Sequence, residues 1–207
     1  MLTTFTLALT VTLSHQPASL VRSSSVHLRL DQDGGVSVSQ LRTAIDEVRR
    51  IWSAAGLRIT FARYADPVPV GEGVISVRIV REEWQRGETP ILGRTFHDRH
   101  KQSTSIFISA SGLQKFLGQA QFRGRSLRQL PSALVGELEA RALGRVLAHE
   151  LGHCLLRDGD HSQRGLMRPS YTPDDLVSAH VQPFSLGLDE RLALQRAVAR
   201  LVVADAR

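Results

Sequence analysis

His149-Glu150-Leu151-Gly152-His153, followed by His161 and then Met167, packs three imidazoles and a carboxylate into thirteen residues. The reading of this stretch decides the rest. On a helix, residues four apart lie one turn above each other, so His149 and His153 can aim two ring nitrogens at one point. Glu150 is rotated by about 100° from His149 and is a poor third ligand, but it can reach a water activated at that point, where a general base is needed. A catalytic zinc takes three protein ligands and keeps a fourth position for water, so a third ligand is expected downstream. The chain before the pentapeptide supports a helix. Leu134, Val135, Leu138, Ala142 and Val146 recur at spacings of three and four, the two histidines continue that stripe, and Ser132 after Pro131 is placed to cap its start.

After Leu156 the apolar period stops and Arg157-Asp158-Gly159-Asp160-His161-Ser162 begins. Gly159 can adopt a positive φ, end the helix and turn the chain back, which brings His161 near the first two ligands. These residues resemble the metzincin metallopeptidases, whose pattern is His-Glu-x-x-His-x-x-Gly-x-x-His with a later methionine turn. The family glycine falls at Leu156 and the family's third histidine at Gly159, so His161 arrives two residues late. Gly165-Leu166-Met167-Arg168-Pro169 resembles the methionine turn, and the span from His149 to Met167 is similar to that of matrixin-type members.

The resemblance covers residues 134–169 and implies Zn²⁺ held by His149, His153 and His161, with Glu150 as general base and a peptide or protein as substrate. Asp160 is the alternative third ligand, because some relatives use aspartate there. Tyr171 stands four residues past Met167, whereas some clan members place a tyrosine two past the methionine and close to the metal. The fold implied is α+β: a mixed sheet, a long packing helix, the active-site helix, a Met-turn and a C-terminal helix.

Upstream, the chain can supply those parts. Val26, Leu28 and Leu30 alternate as in a strand. Ser37 and Gln40 form a capping box ahead of Leu41, Ala44, Ile45, Val48, Ile51 and Ala55, one helical face ended by Gly56. Leu57, Ile59 and Phe61 alternate, Ile75, Val77 and Ile79 do the same, and Ile106-Phe107-Ile108 reads as a short buried strand. The expected order is strand, helix, three strands, active-site helix. Either 105–109 or 92–96 would form the sheet edge above the cleft, where an extended peptide could add as a strand. Residues 171–184 read as irregular, followed by a helix over 189–203 with Leu194, Ala197, Val198 and Leu201 buried.

Composition suits one zincin-like catalytic domain over residues 21–207: hydrophobic content is 42%, and no repeat or low-complexity linker divides the chain. The formal charge of +6 favours acidic partners by long-range attraction. Arg123, Arg125 and Arg128 make a basic loop, but no basic face carries interleaved aromatics, so a nucleic-acid partner is not expected. His97-Asp98-Arg99-His100 reads as polar loop rather than a second metal site. The single cysteine, Cys154, excludes an internal disulfide and reads as a packed thiol.

Residues 1–20 read either as a signal peptide, with residues 5–13 as its apolar segment, or as a strand alternating Phe5, Leu7, Leu9, Val11 and Leu13. The apolar segment is too short for stable membrane insertion, and the resemblance implies an exported protein. Two other functions use the same residues. One is a non-catalytic zinc-containing binding module, closed by Asp160 or Cys154; the other is a zinc amidase or hydrolase of a different acyl substrate. No feature of the sequence specifies an oligomeric state.

Overall fold

A computed structural model of the chain describes residues 25–32, 35–63, 74–98, 103–156 and 161–204. The N-terminal segment read as a signal peptide or strand lies outside them. Strand β1 (Ser25–Gln32), helix α1 (Val38–Ser53) and strand β2 (Arg58–Arg63) form a βαβ unit in which the strands pair in parallel. β3 (Val74–Val80) joins the other side of β1, again in parallel. A hairpin of β4 (Trp84–Arg86) and β5 (Thr89–Ile91) follows, turning at Gly87 with φ +61°. The chain then runs through β6 (Gly93–Asp98) into β7 (Ser103–Ser109), which returns antiparallel to β6 and parallel to β3. The five-stranded sheet has the order β2-β1-β3-β7-β6. Of the two segments expected at the sheet edge, the one near 92–96 is the edge and 105–109 is internal.

Alternation explains which face is covered. Val26, Leu28 and Leu30, Ile75, Val77 and Ile79, and Ile106 and Ile108 all turn to the helical side and are buried. The other face carries polar groups such as Arg78 and Asp31, which pair at 3.3 Å. On the covered side α1 packs against the long helix α3 (Ser132–Leu156), its expected Ser37/Gln40 capping box in place. The two helices meet at Gly144, where a β-carbon would stand 2.5 Å from the Ala44 carbonyl oxygen, so only glycine permits this approach. α1 ends at Ser53, and Gly56 adopts φ +80° in the turn leading to β2.

Several details differ from the sequence reading. A two-turn helix α2 (Ala110–Leu117), capped by Ser109, lies between β7 and α3. It is too short for its apolar period to stand out from the strand before it. The basic loop is a hairpin of β8 (Gln121–Phe122) and β9 (Arg125–Ser126), with Arg123 and Gly124 both at positive φ; it packs beside helix α4 (Pro173–Val177). Ser132 is the first residue of α3 rather than its cap, with the Val135 amide bonded to the Pro131 carbonyl.

The segment expected to be irregular contains α4, capped by Thr172 and Asp175, and a 3₁₀ turn at Gln182–Phe184. Helix α5 (Leu188–Ala204) follows as expected, with Leu194 and Ala197 buried; the side chains of 198 and 201 lie outside the described residues. One hydrophobic cluster reaches from Val26 to Leu194. Among the described residues no helix is long and apolar enough to cross a membrane. The architecture is the mixed sheet with packing helix, site-bearing helix and C-terminal helix that the sequence implied.

Candidate metal centre

The second half of α3 is almost wholly buried, so the histidines one turn apart on it have little freedom. The Nε2 atoms of His149 and His153 lie 3.1 Å apart. His161 enters from the non-helical segment after the helix, its ring stacked parallel to that of His149 at 5.5 Å and set edge-on to that of His153 at 4.9 Å. One ligating atom from each of the three lies within 4.8 Å of the others, and among the described residues no other set of histidine, cysteine, aspartate or glutamate side chains converges in this way. Asp158, Gly159 and Asp160 lie outside the described residues. So do Arg99 and His100, while His97 is exposed and bonds through Nδ1 to the Thr104 hydroxyl at 3.0 Å.

His149 donates from Nδ1 to the carbonyl of Leu166 at 2.7 Å. That bond fixes its tautomer and leaves the Nε2 lone pair facing His153. Burial also lowers the His149 pKa to about 4 and pulls that of His153 down, so the neutral, ligating form is favoured. Two nitrogen lone pairs at 3.1 Å repel unless a cation or proton lies between them. That spacing is close to the edge of about 3.3 Å expected for a tetrahedron with zinc–nitrogen bonds of about 2.0–2.1 Å. The donor set fits a borderline-soft divalent metal, and torsions of the exposed His161 side chain can close the third side.

Glu150 is only 7% exposed, and among the described residues no cationic side chain pairs with it. Its Oε2 accepts from the Thr95 hydroxyl at 2.8 Å, and its carboxylate packs over Gly93, where a β-carbon would fall 2.6 Å from Oε1. Burial pushes its pKa up to about 7, against the lowering effect of the Thr95 bond. Gly93 and Thr95 share one face of the edge strand β6, so that strand forms the wall opposite Glu150. Cys154 is a packed thiol, as expected: Sγ donates to the Glu150 carbonyl at 3.3 Å, and burial pushes its pKa up to about 12.

The segment after the histidines closes the site from below. Gly165 turns at φ +81°, Leu166 donates to the Ser185 carbonyl, and buried Met167 places its sulfur under α3 at Gly152, where a β-carbon would meet it at 2.2 Å. Tyr171 presents its ring edge to His149 at 5.8 Å, but its hydroxyl donates to the Leu166 carbonyl. The phenol is thus committed to the turn and not to the position where the imidazoles converge.

No family model matches this chain, nor does any curated protein. Among solved structures, archaemetzincin from Methanopyrus kandleri is similar over 87% of this chain and 99% of that chain, with a TM-score of 0.56 and 15% sequence identity. The fold is archaemetzincin-like. Metalloproteinase-II from Bacteroides fragilis is similar over 87% of this chain and 55% of that chain, at a TM-score of 0.46 and 14% identity.

Within this archaemetzincin-like fold, the sequence reading missed the groups that hold the site-bearing helix in place. Arg145, one turn before His149, is fully buried; it bonds Glu47 of α1 at 2.8 Å and the carbonyls of Asp175, Leu176 and His180, and it lies over the Phe184 ring. An arginine inside an otherwise apolar stripe was the available signal, since a guanidinium at such a position must find several acceptors. Gly93 and Thr95 carried no signal, because their role depends on which strand lies beside Glu150.

Proposed function

We propose that this chain is a zinc-dependent metallopeptidase. The observation that carries the proposal is the convergence of three imidazoles, with the buried carboxylate of Glu150 on the same helix facing the edge strand β6. His149, His153 and His161 would hold the metal. Bound there, zinc supplies Lewis acidity toward a carbonyl oxygen and lowers the pKa of a coordinated water to roughly 7. Glu150 would take the proton of the attacking water and pass it to the departing amine, its burial working to raise the carboxyl's affinity for that proton. Thr95 and Gly93 orient that carboxylate.

β6 ends the sheet, so its outer main-chain groups can pair with an extended peptide lying between the strand and the histidines. Such a groove accepts the middle of a chain and supports endopeptidase action. The similarity of the fold to archaemetzincin agrees with this reading. The packing of Met167 beneath Gly152 supports a Met-turn, with the matrixin-like span from His149 as the finer resemblance. Cys154, bonded to the helix backbone, is not free to close the coordination sphere, which disfavours a purely structural zinc site. We also propose an exported protein, tested by N-terminal sequencing of material recovered outside the cytoplasm.

The decisive experiment is cleavage of a peptide library with and without a chelator, run beside metal analysis of the native chain and His161→Ala. Chelator-sensitive cleavage and one zinc per chain, lost in His161→Ala, are expected. Stoichiometric zinc without cleavage of any peptide would leave only a binding module or a hydrolase of another acyl group.

A further inference from the structure

The carbonyl of Leu166 accepts two hydrogen bonds, one from His149 Nδ1 at 2.7 Å and one from the hydroxyl of Tyr171. A carbonyl oxygen has two lone pairs, so both bonds can be made together without competition. The peptide is pinned on its other side as well, since the Leu166 amide donates to the Ser185 carbonyl at 3.0 Å. Tyr171 is itself held firmly. Its ring stacks on Phe184 at 5.1 Å with 15° between planes, and the guanidinium of Arg168 lies 4.2 Å from its centroid and 5.9 Å from that of Phe184. Phe184 in turn lies beneath the guanidinium of Arg145, the buried arginine of α3.

From this arrangement we propose that Tyr171 is a positioning residue for the metal centre: its hydroxyl fixes the carbonyl that fixes the His149 ring, and so keeps Nε2 aimed at the metal. This extends the zinc reading above and rests on it. The physical basis is that a ligand imidazole is oriented by the acceptor on its far nitrogen, and the acceptor is only as steady as its own surroundings. Leu166 lies in a turn outside regular secondary structure, so no helix or ladder hydrogen bond holds its carbonyl. Without the phenol, that carbonyl keeps His149 as its only hydrogen-bond donor among the described residues, and the ring and turn can rotate together.

Tyr171→Phe tests this directly, because it removes one oxygen and keeps the ring, its stack on Phe184 and its contact with Arg168. Metal-free native and variant chains are titrated with zinc against a competing chelator, and the rate of zinc release is followed. Disrupting an outer partner of a metal ligand typically costs about 10–100-fold in affinity, and for a group one bond further out a loss of about five- to tenfold is expected, mainly as faster release. The thermal midpoint of the metal-free variant should stay within about 2 °C of native, on the scale set for a change well under 1 kcal/mol. The Nδ1 proton of His149, followed by NMR in the metal-free chains, should exchange faster with solvent in the variant.

Equal affinity and equal proton exchange in the two chains would overturn the proposal. So would a loss of affinity accompanied by a matching loss of metal-free stability, which would make Tyr171 an ordinary core residue. If the native chain takes up no zinc, the metal reading itself fails and this inference falls with it; that result is distinct from zinc uptake that is indifferent to Tyr171.

Discussion

Two glutamates in this molecule are almost equally buried and are treated in opposite ways. Glu47 on α1, 5% exposed, receives the Nε of fully buried Arg145 at 2.8 Å and an ion pair from Arg50. Glu150 on α3, 7% exposed, receives a single hydroxyl from Thr95. Removing a carboxylate from water costs several kcal/mol, and a paired guanidinium offsets that cost where a neutral hydroxyl does so only in part. The fold therefore neutralises the acid that joins two helices. Glu150, next to His149 on α3, is given a hydroxyl and no cationic side chain among the described residues, as suits the base proposed for that position.

The comparison breaks if the two positions exchange effects. Glu150→Gln should lower peptide turnover by about 10³-fold or more while zinc content stays at the native level, whereas Glu47→Gln should leave turnover within about threefold and reduce stability instead. Turnover assays and metal analysis on the two variants decide this. Undiminished cleavage by zinc-loaded Glu150→Gln would remove Glu150 from the mechanism.

A smaller effect concerns the pair at Glu47. Arg145→Met removes the buried partner of the Glu47 carboxylate, leaving it the half-exposed Arg50, and should cost up to about 3–5 kcal/mol in denaturant unfolding of the metal-free chain. Adding Glu47→Leu should recover part of that loss, because the under-compensated buried charge is then gone, although the carbonyls of Asp175, Leu176 and His180 still lack the guanidinium. A double variant less stable than Arg145→Met would show that the pair is not the unit that matters.

The smallest effect sharpens the other side. Thr95→Val deletes the one hydrogen-bond partner of the Glu150 carboxylate among the described residues and should lower kcat about tenfold, equivalent to roughly 1.4 kcal/mol, with KM little changed and Thr95→Ser restoring most of the rate. A change in KM alone would assign Thr95 to peptide binding rather than to the base.

How much of this was legible beforehand depended on separation along the chain. The capping box at Ser37 and Gln40, the alternation of Ile75, Val77 and Ile79, and the one-turn spacing of His149 and His153 are relations within a few residues, and each was read correctly. Helix α4 was missed although Thr172, Pro173 and Asp175 spell its start, because five residues are too few to show an apolar period. The edge strand was narrowed to two segments, and only the pairing of β6 with β7 chose between them.

The sequence alone determined the local geometry: which stretches curl, which extend, and that two imidazoles one turn apart can share a cation. Helix and strand periods are short-range properties, imposed by backbone sterics and by which side chains avoid water. The tertiary structure decided the partners of the two acids. Arg145 and Glu47 are 98 residues apart, and Thr95 and Glu150 are 55 apart. No period in the chain encodes such meetings; they exist only once the sheet and helices have packed, and that packing is what gives one carboxylate a buried guanidinium and the other a hydroxyl.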